Sequence, residues 1–402
     1  MTDLLKTSAV LVLIVILLRR KVSMAAVMPI GALVLAFIYL TPPRSFIKAV
    51  ITAVFDSKSL EMTVTLMLTM VMENILRTTG MLRRMVSSLS EALSDRRLVM
   101  AAMPAMIGML PSPGGAIFSA PMVNEAAGNA VVAPEQKALI NYWYRHIWEY
   151  VSPLYPGIIL AAGITGLSTQ TMFLANLPFA ISVAAWGVFF CLKGIGRQEI
   201  QPSLVGRRQE FLTFLTMISP IMLALLLVVI FRVKASLALG GAVLALYAVH
   251  RYSPPMILKN LRESVSGKAV FLVIGILIFQ EVLRTTGALA GISNFFAASH
   301  MPVYLLLFLI PFIAGVMTGL TVGYVGITFP LLLPLMGAAT PSPGLVALAF
   351  GSGFAGVMLS PIHLCYVLTC EYFQADIARV YHRLFLPSAC VLAAVLIPLY
   401  FW

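Results

Sequence analysis

Residues 108–121 read GMLPSPGGAIFSAP and residues 315–330 read GVMTGLTVGYVGITFP. Each run collects Gly, Pro, Ser and Thr between two apolar half-segments, in a chain whose remainder reads as membrane-spanning helix. Such runs break helices, because Pro lacks the backbone donor and Gly carries no side chain to favour the helical well. Lipid offers no partner to the freed N–H and C=O groups, so irregular backbone at membrane depth is tolerated only where it is buried in protein or lines a cavity. Two breaks at equivalent positions are the pattern of a secondary transporter whose site lies between discontinuous helices near the bilayer midplane.

Composition sets the class. Of 402 residues, 60% are hydrophobic and 10% charged, and the mean hydropathy is +0.97, values expected of an integral membrane protein. The net charge of +12 does not indicate nucleic acid, because the Lys and Arg residues sit in short clusters between apolar runs, where they set orientation. Cys191, Cys365, Cys370 and Cys390 fall in apolar stretches without CxxC spacing. They read as small buried hydrophobes rather than a disulfide framework or a metal site.

In chain order, an apolar run at 8–18 is closed by Arg19, Arg20 and Lys21, the reverse of a signal peptide's charge order, so the segment is expected to be retained. A span at 25–40 ends in Thr41-Pro42-Pro43, an interfacial helix follows at 45–55, and a third span at 60–76 carries Glu73. A basic amphipathic piece at 81–97 precedes the first hairpin, about 98–130, then a helix at about 137–165 broken at Ser152-Pro153, and a last span at 172–192. Residues 194–210 form the one long polar linker. Beyond it the pattern restarts, with spans at 211–231 and 237–249, Ser253-Pro254-Pro255, a hairpin at about 302–339 and a broken helix at about 344–374.

The restart is a repeat. Leu76-Arg77-Thr78-Thr79-Gly80 returns as Leu283-Arg284-Thr285-Thr286-Gly287, and the same offset pairs Pro104 with Pro311 and Gly108 with Gly315. One residue more pairs Ser152-Pro153 with Ser360-Pro361. If each hairpin returns to its own side, each half makes five crossings, and an odd number inverts the second copy. The expected fold is therefore an all-α membrane protein of two inverted repeats, 1–193 and 211–402, each of about five spans with a re-entrant hairpin and a broken helix. With both termini outside, the clusters around residues 19–21, 77–97, 193–208, 251–268 and 379–383 all fall inside, and the 194–210 linker is cytoplasmic.

This order of elements, duplicated in inverted form, resembles the ion transporter superfamily, which includes carboxylate, gluconate and arsenite carriers and sodium/proton antiporters. More narrowly, LPSPGGAIFSAPMV at 110–123 looks like the hairpin of a prokaryotic family of that superfamily classed as a domain of unknown function. The resemblance implies a homodimer in the cytoplasmic membrane that moves a transport domain of hairpins and broken helices past a fixed scaffold in an elevator motion. The cargo is expected to be a small anion, with H⁺ or Na⁺ as coupling ion and no bound cofactor or metal. The Ser-Asn-Thr signatures of sodium-coupled dicarboxylate members are missing from both hairpins.

Local chemistry adds candidate residues. Ser112, Ser152 and Ser360, each just before a Pro, fit the helix N-cap pattern, and Ser119 and Thr328, two residues before a Pro, nearly fit it. Helix N-termini meeting at the midplane would suit an anion; the same breaks could equally serve packing alone, and carbonyls at opposing half-helix ends could hold Na⁺. Gly114, Gly115, Gly323 and Gly326 are expected at or near the hairpin tips; Asn124 and Glu125 after the first hairpin, and Thr321 and Tyr324 at the second, are weaker candidates. Arg145, His146 and Glu149 stand before the first break. Either Arg145 meets a substrate carboxylate while Glu149 or His146 carries a proton, or Arg145 and Glu149, one helical turn apart, form an internal salt bridge. His363 reads as a proton carrier, a substrate donor or a satisfied core histidine. Glu73 with Arg77, and Glu281 with Arg284, are expected as interfacial pairs.

Other classes leave a trace. Gly351-Ser352-Gly353 with His363 could form the dyad of an intramembrane hydrolase, though an inverted duplication has no purpose there. A channel or cation exchanger would also use polar breaks in an apolar bundle.

Overall fold

In the computed structural model, residues 2–20, 22–111, 115–128, 130–197, 206–288, 301–337 and 340–402 are described. Among them there is no β-strand. The first half comprises α1 (Thr2–Arg19), α2 (Met24–Ile38), α3 (Pro43–Phe55), α4 (Ser57–Thr78), α5 (Met81–Ala92), α6 (Arg96–Ile107), α7 (Gly115–Ala127), α8 (Pro134–Arg145), α9 (Pro156–Thr165) and α10 (Thr169–Trp186). A 3-10 turn, Ile147–Tyr150, follows α8, and α10 runs on as a π-helical turn, Gly187–Cys191. The second half comprises α11 (Arg207–Val229), α12 (Ala235–Val249), α13 (Pro254–Ser264), α14 (Gly267–Thr285), α15 (Val303–Thr318), α16 (Thr321–Leu332), α17 (Pro343–Met358), α18 (Leu364–Phe373), α19 (Ile377–Ala393) and α20 (Leu396–Phe401).

Helices at 57–78, 169–191, 207–229 and 377–401 are long and apolar enough to cross a bilayer, and α13 with α14, bent by 59° at their junction, is a further candidate. The second hairpin's arms, both pieces of the second broken helix and α9 of the first are shorter and apolar, as half-spans must be when a break sits at membrane depth. The chain is a multi-pass all-α membrane protein.

The two halves share backbone details as well as element order. Gly80 and Gly287, the last residues of the LRTTG repeats, adopt φ of 78° and 74° just past the ends of α4 and α14. That left-handed C-terminal position accommodates Gly without a Cβ penalty. Leu40 and Arg251 repeat a left-handed turn before the two Pro-Pro helix starts, with φ of 52° and 53°.

Packing is reciprocal across the halves. Helix α2 lies on α14 while α12 lies on α4, and α16 packs on α9 while α7 packs on α18. Within each half the hairpin's first arm crosses the first piece of the broken helix so closely that only glycine fits. A Cβ at Gly108 would lie 2.1 Å from the Arg145 carbonyl oxygen, and one at Gly315 would lie 2.1 Å from that of Gly353. Hairpins and broken helices thus form one closely packed group from both halves, against which α1–α5 and α11–α14 rest chiefly through α4, α5 and α14.

Candidate binding site

The break in the first broken helix comes earlier than its Ser-Pro pair. Helix α8 stops at Arg145, with His146 as its C-cap, and α9 starts only at Pro156, with Tyr155 as N-cap. Arg145 and Glu149 are therefore not one α-helical turn apart, because the 3-10 turn intervenes and redirects the chain. Ser152 and Ser360 are not N-caps either. Each stands four residues before its helix, and their hydroxyls accept weakly from Leu154 N (3.3 Å) and Ile362 N (3.4 Å) to close turns. Ser360 Oγ also donates to Val316 O at 2.7 Å, tying the second break to α15. Ser119 and Thr328 lie inside α7 and α16, with the Pro two residues on accommodated in the same helix. Thr328 Oγ1 donates to the Tyr324 carbonyl one turn back at 2.8 Å, the ordinary resting place of a mid-helix hydroxyl.

Four helix starts nonetheless meet. Gly157, in the first turn of α9, faces Thr321, the first residue of α16, where an added Cβ would stand 2.3 Å from Thr321 Cγ2. His363, the N-cap of α18, sets its Nδ1 on the carbonyl of Gly319 at 2.8 Å, two residues before α16. Cys365, in the first turn of α18, lies beside the backbone of Ala116 in the first turn of α7. Gly319 makes the second hairpin tip with φ of 61°. Gly323 and Gly326 instead lie within α16, and Gly326 is a packing site, since a Cβ there would approach Ile276 Cδ1 of α14 to 2.5 Å.

Ionisable side chains converge on these helix starts. Arg145 is 2% exposed and reaches Tyr155 and Cys365. His146 is fully buried, with Nδ1 2.5 Å from the Tyr142 carbonyl and Nε2 3.1 Å from His363 Nε2. Glu149 is the exposed edge of the group: its side chain is 13% exposed, it lies 3.8 Å from His146 Nε2, and it accepts a hydrogen bond from Thr321 Oγ1 at 3.1 Å. The Tyr142 ring is 4.6 Å from His146 and 5.6 Å from His363 and holds both imidazoles in place. The charged side chains come from one half only. One repeat offset on, Arg145, His146 and Glu149 become Gly353, Phe354 and Val357, and the α9 N-cap Tyr155 becomes His363.

A second polar group, Asn141, reads as an ordinary helix residue in sequence. It accepts from Ser119 Oγ at 2.6 Å and donates to Ala116 O at 3.1 Å and Thr369 Oγ1 at 3.0 Å, joining α7, α8 and α18. Helix α8 also carries Glu135, Gln136 and Lys137, so no local signal sets Asn141 apart. Of the other candidates, Gly115 opens α7 and is buried, while Ser112 and Gly114 lie outside the described residues. Tyr324 donates to Phe350 O at 2.9 Å and Asn124 accepts from Lys137 at 2.8 Å, both away from the cluster. Glu281 pairs with Arg284 at 2.6 Å as expected, whereas Arg77 turns to Asn74 at 2.9 Å rather than to Glu73. Ser352 Oγ donates toward the Leu307 and Ala349 carbonyls, each at 3.2 Å, and His363 is engaged elsewhere, so no hydrolase dyad forms between them.

The cluster is closed in this conformation. Two open cavities of about 570 and 600 Å³ lie near the C-terminal end of α9, lined among others by Met62, Gly163 and Gly166. That end is one ten-residue helix, about 15 Å at 1.5 Å per residue, from the α9 N-terminus at the cluster.

Paired hairpins and broken helices with their starts gathered around buried ionisable groups define the class as a multi-pass, all-α membrane protein with discontinuous helices. The chain belongs to the DUF401 family, described as proteins of unknown function, whose model matches residues 3–401. Among solved structures it is similar to the YdaH transporter of Alcanivorax borkumensis, described as having an unusual topology, at 12% identity over 90% of each chain with a TM-score of 0.66. No curated protein sequence matches it.

Proposed function

We propose that this protein is a secondary active transporter that moves a small organic anion across the cytoplasmic membrane by an elevator-type alternating-access motion, coupled to H⁺ or Na⁺. The observation that carries the reading is the meeting of the α7, α9, α16 and α18 starts around Arg145. Free N–H groups and the positive ends of four helix dipoles point to one place, and Arg145 adds a full charge able to grip a carboxylate with two parallel hydrogen bonds. Glu149, at the open edge beside Thr321, is the proton carrier we favour. The transporter fold shared with the YdaH structure supports the class.

In this reading the two halves are inverted repeats, both termini are external, and the protein works as a homodimer. The hairpins and broken helices move together past α1–α5 and α11–α14, and the closed cluster opens to alternate sides as they do. Reciprocal packing between the halves supports a two-fold relation of this kind.

The test is a thermal-shift screen of purified protein against small carboxylates and inorganic anions across pH, with and without Na⁺, followed by uptake of each hit into proteoliposomes. Saturable uptake driven by a pH or Na⁺ gradient is expected, with binding lost in Arg145→Ala. Steady ohmic current would instead mark a channel. Na⁺-dependent proton flux with no anion present would mark a cation exchanger.

A further inference from the structure

The two imidazoles at the centre of the cluster carry a constraint that anion transport does not need. A backbone carbonyl can only accept, so the Nδ1 atoms of His146, on Tyr142 O, and of His363, on Gly319 O, both carry the hydrogen. In the neutral rings each Nε2 then holds a lone pair, and the two Nε2 atoms face each other at 3.1 Å. Two acceptors at hydrogen-bond distance require a cation between them. A third donor stands beside them: the ligand atoms of His146, His363 and Cys365 all lie within 4.8 Å of one another.

We infer that His146, His363 and Cys365 form a buried binding site for a borderline-soft divalent metal, Zn²⁺, held between the two halves of the chain. Tetrahedral coordination at Zn–N of about 2.0 to 2.1 Å separates two nitrogens by about 3.3 Å, within about 0.2 Å of the Nε2 separation here. Zn–S of about 2.3 Å asks the Cys365 sulfur to move in by about 1 Å, a side-chain adjustment. The hydrogen bond from each Nδ1 to a carbonyl is the outer-shell arrangement that orients ligating histidines and fixes their tautomer. Nitrogen and sulfur donors select Zn²⁺ over Na⁺, Mg²⁺ or Ca²⁺, which take oxygen.

Binding displaces the thiol proton of Cys365 and none from the rings; the thiolate with Glu149, 3.8 Å from His146 Nε2, offsets two of the three positive charges of the metal and Arg145 and leaves one. His146 lies 217 residues from His363, so no ligand spacing could reveal the site in sequence, and the expectation of no metal site there is what this inference corrects.

The test does not depend on transport. Full-length protein in detergent is stripped with chelator, exposed to Zn²⁺ alone, desalted and its metal content measured; Co²⁺ is then substituted as a spectroscopic probe. About one Zn²⁺ per chain is expected, with a thiolate-to-cobalt charge-transfer band. Cys365→Ser should lose the band and bind Zn²⁺ at least about 10-fold more weakly, as even second-shell losses do. The His146→Gln, His363→Gln double variant should retain none, with a metal-free thermal midpoint compared to wild type to show that it folds. Zn²⁺ content well below one per chain in wild type, or equal content in wild type and a folded double variant, would overturn the site and leave a shared proton as the cation between the rings. Loss of anion uptake with metal binding intact would count against the transport reading alone.

Discussion

At the scale of single residues, the distinction is between side chains that touch a ligand and those that hold the site together. Glu149 sits at the exposed edge, tied to Thr321 rather than locked into the core. Glu149→Gln is therefore expected to abolish pH-driven accumulation while substrate exchange continues, because exchange moves no net proton; accumulation at the wild-type level would remove Glu149 from the coupling. Asn141 belongs to the other kind. Asn141→Leu strands Ser119 Oγ and the Thr369 hydroxyl in a buried junction of three helices. A loss of roughly 1 to 3 kcal/mol is expected, read as a lowered thermal midpoint, with Asn141→Asp no adequate replacement because it cannot donate to Ala116 O.

At the scale of elements, glycine contacts decide how closely hairpin and broken helix approach. A Cβ at Gly315 would overlap the Gly353 carbonyl and one at Gly356 the Phe312 carbonyl, each at 2.1 Å. Backbone cannot rotate away as a side chain can, so even Gly315→Ala or Gly356→Ala should separate α15 from α17, at a cost of about 1 to 3 kcal/mol. Gly241→Ala, with open space around it, is the control and should leave the midpoint unchanged or slightly raised. Equal midpoints for Gly315→Ala and Gly241→Ala would mean that the crossing is looser than described. At the cytoplasmic-expected end of α6, Arg97 and then Arg197 hold the Asp95 carboxyl down to about 2. Since its proton affinity is lowered on folding, the stability it contributes is fully present above the usual carboxylate value near about 4 and is lost as pH falls from there through about 2. It contributes nothing variable between about pH 5 and 8. A change in transport over that window cannot be assigned to it.

At the scale of the whole molecule, the proposed orientation, with the 194–210 linker cytoplasmic, rests on the basic clusters. A cysteine at Gly196, in a background with the four native cysteines replaced by serine, should resist a membrane-impermeant maleimide in intact cells and react once they are opened. Labelling from outside in intact cells would reverse the topology and with it the inverted arrangement proposed for the halves.

How much of this was legible beforehand follows from the range of each interaction. Hydropathy, the LRTTG pair, the Pro-Pro helix starts and the Gly/Pro runs are local signals, set by backbone sterics and by the demand of lipid for satisfied hydrogen bonds. They were enough for an all-α membrane fold with broken, apolar helical segments. Ser119, Ser152, Thr328 and Ser360 were misjudged because a Ser-Pro or Thr-x-Pro pattern cannot say whether tertiary packing will continue a helix through the proline or delay the next one by four residues. Arg145, His146, Glu149 and His363 could be picked out as costly in a membrane, but not assembled. That His146 meets His363, that Cys365 stands beside them, and that Asn141 joins three helices depend on α8 and α18 coming from opposite halves into one junction. Contacts across two hundred residues are made by the packing of whole helices, and no local pattern records them.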